Sequence, residues 1–303
     1  MNNLTVSTSP HIRSGASVNR IMLDVIIALL PALVASVAIF GARAALIVCV
    51  CVAASVASEW IYEKAMKKPV TIRDLSAVIT GMLLAFNLPV HIPVWQAVFG
   101  SVIAIVLVKQ LFGGIGKNFA NPAITARIIM FLAFSVTMTR FSGIDALSGA
   151  TPLTIIAGGG KQPPLWDIIL GIREGCLGET SVVALFIGGV YLVVRRVILP
   201  NTPIAFIATV FVFTAILGKQ PVYQIFSGGL FIGAIFMATD YVTSPVTPWG
   251  KVIFGVGAGI ITVVIRIYGA YPEGVSFSIL LMNILTPYIN RLTEHRPAGG
   301  IKT

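Results

Sequence analysis

The chain has 303 residues, of which 56% are hydrophobic and only 11% are charged. A soluble domain carries about a quarter charged residues, so a water-soluble globular fold is excluded. Apolar runs long enough to cross a hydrocarbon core of about 30 Å recur throughout, which indicates an integral membrane protein. The net charge is +10. The basic residues flank the apolar runs and form no stripe interleaved with aromatic residues, which argues against nucleic-acid binding.

Hydropathy predicts an all-α fold of about ten transmembrane helices in a single membrane domain over residues 1–303. No separate leader pattern with a cleavage site precedes the first apolar run, so we expect this run to remain as a span. The ten predicted spans cover residues 21–40, 44–62, 75–88, 94–112, 124–139, 182–194, 203–217, 223–238, 252–267 and 277–289. A long polar interval at about 140–180 separates two groups of five.

Lysine and arginine residues cluster at alternate ends of the predicted spans, and such clusters mark the cytoplasmic side of a membrane protein. They are Arg13, Arg20, Lys64, Lys67, Lys68, Arg73, Lys117, Arg127, Arg195, Arg196, Arg291, Arg296 and Lys302. We therefore expect both termini in the cytoplasm and the 140–180 loop on the outer face.

The two groups of five spans share an order of motifs. A Pro-x-x-Pro-Trp-like entry, a Gly-rich span and a polar-Phe-small exit occur at 87–121 and again at 244–278. Five spans per half make the repeats inverted, the first over about 21–139 and the second over about 181–291. Inverted repeats place binding sites where short or Gly/Pro-broken segments meet. Here these segments are the short third span, with Thr80-Gly81, and the eighth, with Gly228-Gly229. Apolar composition alone also produces weak similarity of this kind.

The most informative polar segment is Asp145-Ala146-Leu147-Ser148-Gly149-Ala150-Thr151-Pro152. A run of small residues that ends in a threonine, with an acid upstream, leaves one hydroxyl with little steric cover. We expect this loop to expose Thr151 as a nucleophile for a modifying enzyme.

Two asparagines precede the fifth span, in Asn118-Phe119-Ala120-Asn121-Pro122. On a helix, residues three apart share a face, so both amides could address one ligand. Side-chain amides both donate and accept, and so match the alternating carbonyl and N–H groups at the edge of a flavin ring. The alternative is a structural helix start, with Asn121 as the cap and Pro122 just inside.

Three acids lie near membrane depth, where an ionisable group is a functional hypothesis by default. Asp240 is preferred because it closes the eighth span, at the proposed interface of the repeats. For Asp24 and Glu59, pairing with a loop arginine or lysine explains the charge equally well.

The segment Gly178-Glu179-Thr180-Ser181 precedes the sixth span, on the same side as Thr151. Thr180 or Ser181 is a typical helix cap, and Glu179 in a first turn would complement the helix dipole. Backbone amides at a helix start also suit an anion such as a flavin phosphate, so structural and flavin-supporting roles are equally favoured. The three cysteines and three histidines have no spacing typical of a disulfide framework, a metal site or a catalytic triad.

These residues together resemble one family, the D subunit of Rnf complexes, which are ion-translocating ferredoxin:NAD oxidoreductases. The B subunit of the sodium-translocating NADH:quinone reductase is a relative with a longer N-terminal extension. The motifs that carry the resemblance are Gly113-Gly114-x-Gly116-Lys117-Asn118-Phe119-x-Asn121-Pro122-Ala123, Ser148-Gly149-Ala150-Thr151, Gly178-Glu179-Thr180-Ser181 and Ala238-Thr239-Asp240. The threonine motif is similar to the recognition site of the bacterial flavin transferase and is the most specific of the four. Cys176 and Leu177 stand where the family more often has Ser and Ile.

The resemblance implies FMN joined through its phosphate to Thr151, with Asp145, Ser148, Gly149, Ala150, Glu179 and Thr180 around it. It also implies a noncovalent riboflavin nearer the cytoplasmic side, in contact with Asn118, Asn121, Thr80 and Asp240. The implied fold is similar to that of urea transporters, and the implied location is the bacterial cytoplasmic (inner) membrane. The implied function is electron relay between ferredoxin and NAD, coupled to movement of Na+ or H+. It would need the other Rnf proteins, namely the A, B, C, E and G subunits, especially the flavin-bearing G subunit, and we expect no activity from the chain alone.

Two other functions remain open. A solute channel of urea-transporter type would share the fold without any redox role, because a fold does not imply a function. A structural membrane anchor for redox partners would make Thr151 dispensable. The Ser-Gly-Ala-Thr loop favours the redox function, since a channel does not need it.

Overall fold

The computed structural model describes residues 17–142, 148–149, 151–158, 160, 163–179, 181–269 and 274–294. The first half contains α1 Val18–Phe40, α2 Ala42–Ala65, α3 Ser76–Phe86, α4 Val94–Val102, α5 Pro122–Ala133 and α6 Ser135–Met138. The connecting loop contains β1 Phe141–Ser142, β2 Ser148–Gly149, α7 Pro152–Ala157 and α8 Leu165–Leu170. The second half contains α9 Val182–Val194, α10 Asn201–Ile216, α11 Pro221–Phe226, α12 Leu230–Ile232, α13 Pro248–Tyr268 and α14 Val275–Thr293.

Two helices continue beyond these bounds as wider π-helical turns. The π-helix Ile103–Gln110 extends α4, and the π-helix Gly233–Met237 extends α12. A short 3₁₀ turn, Ile72–Asp74, precedes α3, and β1 pairs antiparallel with β2 over two residues. Apart from this one pair, the described residues form an all-helical fold, as the hydropathy predicts.

Among the described residues, three helices are long and apolar enough to cross a membrane unaided: α1, α2 and α13. Five shorter apolar helices accompany them, at Ser76–Phe86, Val94–Gln110, Pro122–Ala133, Val182–Val194 and Asn201–Ile216. An apolar helix of about 20 residues spans the hydrocarbon core, while shorter ones reach only part of the way. The chain is therefore a multi-pass membrane protein that combines long and short apolar helices.

Two predicted spans are interrupted. The fifth, expected at 124–139, breaks at Phe134 into α5 and α6. The eighth, expected at 223–238, breaks into α11 and α12, and Gly228 within the break has a φ of 68°, in the left-handed region. Glycine adopts this conformation without the Cβ clash that other residues suffer, so the chain turns here without strain.

The short central helices lie inside the bundle. Every residue of α3 except Val78 is buried, and so are all residues from Leu230 to Ala238. Such helices are apolar on every side and have no polar face to turn outward. Around them, α1 packs on α9, α5 packs on α14, α2 packs on α3 and α4, and α10 packs on α11 and α13.

Helix ends that lie inside the bundle are satisfied by other protein groups. In α11, Arg266 donates to the carbonyl of Gln224 at 2.5 Å, and Arg173 donates to that of Phe226 at 2.7 Å. At the end of α3, the amide of Gly178 donates to the carbonyl of Phe86 at 2.8 Å. Lipid offers no hydrogen bonds, so a helix can end within a membrane protein only where protein groups replace water.

Glycines on α13 allow α10 to approach closely. A Cβ added to Gly255 would lie 2.8 Å from the backbone oxygen of Thr202, and one added to Gly259 would lie 2.6 Å from Thr209. The two glycines are four residues apart, the spacing that lets membrane helices pack backbone to backbone. Gly257 lies between them in sequence but faces the flexible thioether of Met282.

We expect Gly255→Ala to lower the free energy of unfolding by about 1–3 kcal/mol, because α10 must move away from α13. Thermal unfolding of the purified protein in detergent measures the change. Gly257→Ala is the matched control, since Met282 can rotate away, and a loss of stability equal to that of Gly255→Ala would show that the close helix contact is not the cause.

Candidate functional site

A cavity lies between α1, α3, the π-helix of α4, the start of α5 and the turn after α12. The orientation predicted from the sequence directs this side of the bundle to the cytoplasm. The cavity contains about 830 Å³ of space free of protein atoms, part of it continuous with the outside. The polar and charged residues of its wall are Ser76, Thr80, Lys109, Asn118, Asn121, Thr239, Asp240 and Tyr241. We call this space the main cavity. It brings together all four residues that the sequence suggested for a noncovalent flavin: Thr80, Asn118, Asn121 and Asp240.

The two asparagines do not lie on one helical face, because α5 begins only at Pro122. Asn121 is the helix cap, and its Oδ1 accepts from the amides of Ala123 and Ile124 at 3.1 and 3.3 Å. Asn118 precedes the helix, and its Nδ2 donates to the carbonyl of Ala120 at 3.0 Å. The structural alternative is thus correct for Asn121, yet both side chains also line the main cavity.

In the part of the chain that the structure describes, Asn121 Nδ2 and Asn118 Oδ1 make no hydrogen bond with protein. One donor and one acceptor are thereby available to a ligand. With its amide oriented to satisfy its neighbours, Asn283 of α14 accepts from the backbone amide of Asn121 at 3.1 Å and donates to the carbonyl of Thr243. The sequence does not identify Asn283 as a residue that positions Asn121, because a single Asn within a predicted span forms no recognisable motif.

Asp240 lies in the turn that follows the π-helix of α12. Its carboxylate accepts from the amide of Val242 at 3.3 Å and from the hydroxyl of Thr243 at 3.1 Å. Burial raises the pKa of Asp240 above its ordinary value, and these two hydrogen bonds oppose the rise. Thr80, which also lines the cavity, donates its hydroxyl to the carbonyl of Ser76 at 3.0 Å.

A buried ion pair borders the main cavity. Lys109 Nζ donates to Glu59 Oε1 at 2.6 Å and to Ser76 Oγ at 2.6 Å. Glu59 was expected to pair with a loop cation, but its partner lies inside the membrane, on the π-helix of α4. Lys109 was not singled out from the sequence, although a lysine within an apolar run is itself a signal for function.

A second carboxylate extends this network. Glu63, one turn along α2 from Glu59, accepts from the backbone amide of Thr71 at 3.0 Å and from its hydroxyl. Gln110 Nε2 donates to Glu59 at 2.7 Å and approaches Glu63 at 3.5 Å. The other membrane-depth acid, Asp24, pairs with Arg195 at 3.3 Å, as its structural alternative predicts.

Thr151 is not exposed as expected. It is 9% exposed and caps α7, its hydroxyl oxygen accepting from the amide of Thr154 at 3.3 Å. The two hydroxyls of Thr151 and Thr154 lie 2.8 Å apart. The expectation of an uncovered hydroxyl was wrong, because a threonine before a proline is a good helix cap and α7 folds onto the bundle. Ser148 and Gly149 form β2, while Asp145, Ala150 and Thr180 lie outside the described residues.

Glu179 does not lie in a helical turn. Ser181 caps α9, as one of the two predicted caps, and Glu179 precedes it. Its carboxylate forms a buried ion pair with Arg127 at 3.4 Å. The expectation that Arg127 is a cytoplasmic loop charge was therefore wrong: it is buried within α5, where it also donates to Asn87 at 2.7 Å.

The loop before Glu179 fits closely between α3 and α12. A Cβ on Gly178 would lie 2.3 Å from Phe86 of α3 and 3.0 Å from Ile232 of α12, which explains this glycine. Arg173 donates to the backbone carbonyl of Glu179 at 2.5 Å. Burial lowers the pKa of Arg173 to about 10, and the neighbouring Glu179 opposes the fall, so this guanidinium is charged at neutral pH.

The wall of the main cavity is mostly apolar. Apolar side chains from Ile79, Leu83, Ile198 and Phe236 form most of its wall, and a few amide, hydroxyl and carboxylate groups lie between them. Small-molecule sites typically combine such apolar walls with a few polar groups that fix the orientation of the ligand.

A family model described as the NQR2, RnfD, RnfE family matches residues 5–299. The chain belongs to the NQR2, RnfD, RnfE family. This confirms the resemblance drawn from the motifs. The match covers nearly the whole chain, including both halves of the bundle and the loop that carries Thr151.

Curated relatives cover almost the full length of the chain. The chain is 48% identical to the D subunit of the Na+-translocating ferredoxin:NAD+ oxidoreductase complex of Acetobacterium woodii, over 99% of this chain and 96% of the relative. It is 42% identical to the D subunit of the proton-translocating ferredoxin:NAD+ oxidoreductase complex of Clostridium ljungdahlii, over 97% and 95%. It is 36% identical to the D subunit of an ion-translocating oxidoreductase complex of Actinobacillus succinogenes, over 97% of each.

We expect Glu179→Ala to lower the free energy of unfolding by about 3–5 kcal/mol, because it removes the partner of a buried guanidinium. Thermal unfolding in detergent measures the change. Glu179→Gln retains an acceptor for Arg127 and should lose less, and Glu294→Ala, at an exposed acid, should lose little. Equal stability of Glu179→Ala and Glu294→Ala would contradict a stabilising ion pair.

Proposed function

We propose that the chain is a membrane flavoprotein subunit of a redox-driven ion pump of the Rnf type. The observation that carries the proposal is the 48% identity with the D subunit of a Na+-translocating ferredoxin:NAD+ oxidoreductase complex, over nearly the full length of both chains. In this role the chain relays electrons between the ferredoxin and NAD sides of a complex, with the A, B, C, E and G subunits as partners. It works as one part of a translocase and not alone.

In this proposal the main cavity holds a noncovalent riboflavin. Asn121 Nδ2 offers a donor and Asn118 Oδ1 an acceptor, which suits a ring edge that alternates carbonyl and N–H groups. Thr80 and Asp240 line the same cavity, and the apolar residues exclude water from the ring faces. A flavin, when bound, supplies the redox chemistry, while the protein supplies binding, orientation and electrostatics.

Covalent FMN at Thr151 is compatible with the local hydrogen bonding. A phosphoester at Oγ1 leaves the oxygen able to accept from the amide of Thr154, so the cap of α7 is retained. The ester removes the hydroxyl proton, so the Thr154 hydroxyl becomes the donor between the two side chains. Because Thr151 is buried in the folded loop, we infer that the transferase acts while α7 is displaced from the bundle.

The packing supports two inverted five-helix repeats in a urea-transporter-like arrangement. The first helices of the two halves, α1 and α9, pack on each other, and so do the last, α5 and α14. Within each half the second helix contacts the third, which is α2 on α3 in the first half and α10 on α11 in the second. In this arrangement Thr151 faces outward, the main cavity lies towards the cytoplasm, and both termini are cytoplasmic in a bacterial inner membrane. Flavins at the two sites would let electrons cross the bilayer.

The coupled ion is Na+ or H+, since one relative is named for each. Electron movement can drive an ion only if the charge of the flavin in the main cavity changes the affinity of the ion site for its ion, or the access of the ion to that site. A urea-transporter-type channel would share the fold, but the relatives' names are those of oxidoreductase subunits, which supports the redox function.

We expect Thr151→Ala to abolish flavin fluorescence of the denatured polypeptide on a gel, because the acceptor oxygen is lost. Wild type and variant are coexpressed with the flavin transferase. Thr154→Ala is the control that should keep the fluorescence, since the backbone amide of Thr154 remains the donor to Thr151. A dark wild-type band, with the transferase active on another substrate, would contradict covalent attachment and favour the channel.

We expect Asn118→Leu to weaken binding of riboflavin about tenfold, because one buried hydrogen bond to the ligand is lost. Quenching of riboflavin fluorescence during titration of the purified protein measures the dissociation constant. Asn201→Leu is the control, at an asparagine that starts α10 outside the main cavity. Unchanged affinity in Asn118→Leu would place the ligand away from this amide.

A further inference from the structure

Lys109 combines a charge, burial and contact with the main cavity. It is 3% exposed and is the one charged residue of the π-helix Ile103–Gln110. Its ammonium is held on one side by Glu59 and Ser76, and the residue lines the main cavity. Among the described residues of the cavity wall, Lys109 and Asp240 are the only charged ones.

The counter-ion of Lys109 is held in a fixed position behind it. Glu59 is 0% exposed, and its Oε1 accepts from both Lys109 and Gln110 at 2.6 and 2.7 Å. The wide turn of the π-helix directs two successive residues to the same carboxylate oxygen, and π-turns occur frequently at functional sites. The other oxygen, Oε2, has no hydrogen-bond partner among the described residues. Glu59 therefore neutralises the ammonium without itself reaching the cavity.

We propose that Lys109 raises the midpoint potential of the noncovalent flavin in the main cavity and that Glu59 lowers it by neutralising Lys109. The proposal rests on the function proposed above, in which that cavity holds riboflavin. Reduction adds electrons and hence negative charge to the ring, and a fixed ammonium in the cavity wall stabilises that charge. Charges close to the ring are among the groups by which a protein tunes a cofactor. In a buried site with a low effective dielectric, such an interaction is several times stronger than in water.

The effect is electrostatic and transfers no atom. Electrons arrive from a reduced carrier of the complex, or from dithionite in a titration, and Lys109 and Glu59 keep their bonds. Since the two charges oppose each other, removing each one should shift the potential in opposite directions. Structural damage from breaking the pair would instead be expected to act in the same direction for both variants.

The test is a spectroscopic redox titration of the noncovalent flavin in the purified complex with dithionite. At a fixed potential, we expect Lys109→Met to lower the ratio of reduced to oxidised flavin about tenfold, which is about 30 mV for a two-electron couple. Glu59→Gln should raise the ratio by a similar factor. Lys109→Arg retains the charge and should remain close to wild type.

The double variant Lys109→Met/Glu59→Gln removes both charges and restores the wild-type net charge of the site. We expect it to titrate near the wild-type potential, and it also avoids the unpaired buried carboxylate that could prevent Lys109→Met from folding. Lys219→Met is the control, because Lys219 is exposed in the turn between α10 and α11, does not line the main cavity and should leave the potential unchanged.

The outcomes are distinguishable. Opposite shifts in the single variants, with the double variant near wild type, support the proposal; if Lys109→Met does not accumulate, the upward shift of Glu59→Gln and its reversal in the double variant decide it. Shifts in the same direction, or no shift with the flavin bound, overturn it. The content of noncovalent flavin, released by denaturation and measured per polypeptide, is determined first for the wild type. If the wild type holds none, the proposed function of the cavity fails, and this inference fails with it.

Discussion

The structure depends on hydrogen bonding of the main-chain groups where its central helices stop. A helix that ends within a bilayer exposes carbonyl and amide groups that lipid cannot satisfy, at a cost of several kcal/mol each. Here the carbonyls of α11 accept from Arg266 and Arg173, and the end of α3 accepts from the amides of Leu177 and Gly178. These partners allow short helices to exist at the centre of the bundle.

Satisfying those groups requires buried charges, and the charges require partners of their own. Arg127 pairs with Glu179, and it also bonds Asn87, which caps the end of α3 through the carbonyl of Leu83. The loop that contains Glu179 thus joins the first half of the chain to the second. The same loop precedes α9 and follows the segment with Thr151 in the chain.

Much of this architecture could be predicted from residue patterns. Long apolar runs marked nearly every helix, and Gly228-Gly229 marked the break in the eighth span, because glycine tolerates the left-handed backbone that the break needs. The cavity residues Asn118, Asn121, Thr80 and Asp240 were found through the family motifs, and packing brought them to one cavity. Their separation in sequence gives no local signal of that proximity.

Other features depend on tertiary context that a sequence pattern does not carry. Arg127 was interpreted as a loop charge, since the rule for positive residues counts charges near span ends and does not know that Glu179 lies opposite. Lys109 and Glu59 are 50 residues apart and meet only when α4 packs on α2. Thr151 was expected to be exposed because small residues surround it, but burial is decided by where α7 packs.

The main cavity also has a bearing on the order of biosynthesis. Its wall runs from Ile21 in α1 to Val242 after α12, and Asn283 in α14 positions one of its asparagines. The cavity wall is therefore complete only when residues of both halves, up to α14, have come together. A ligand that needs this whole wall can bind only after nearly the entire chain has been synthesised and inserted.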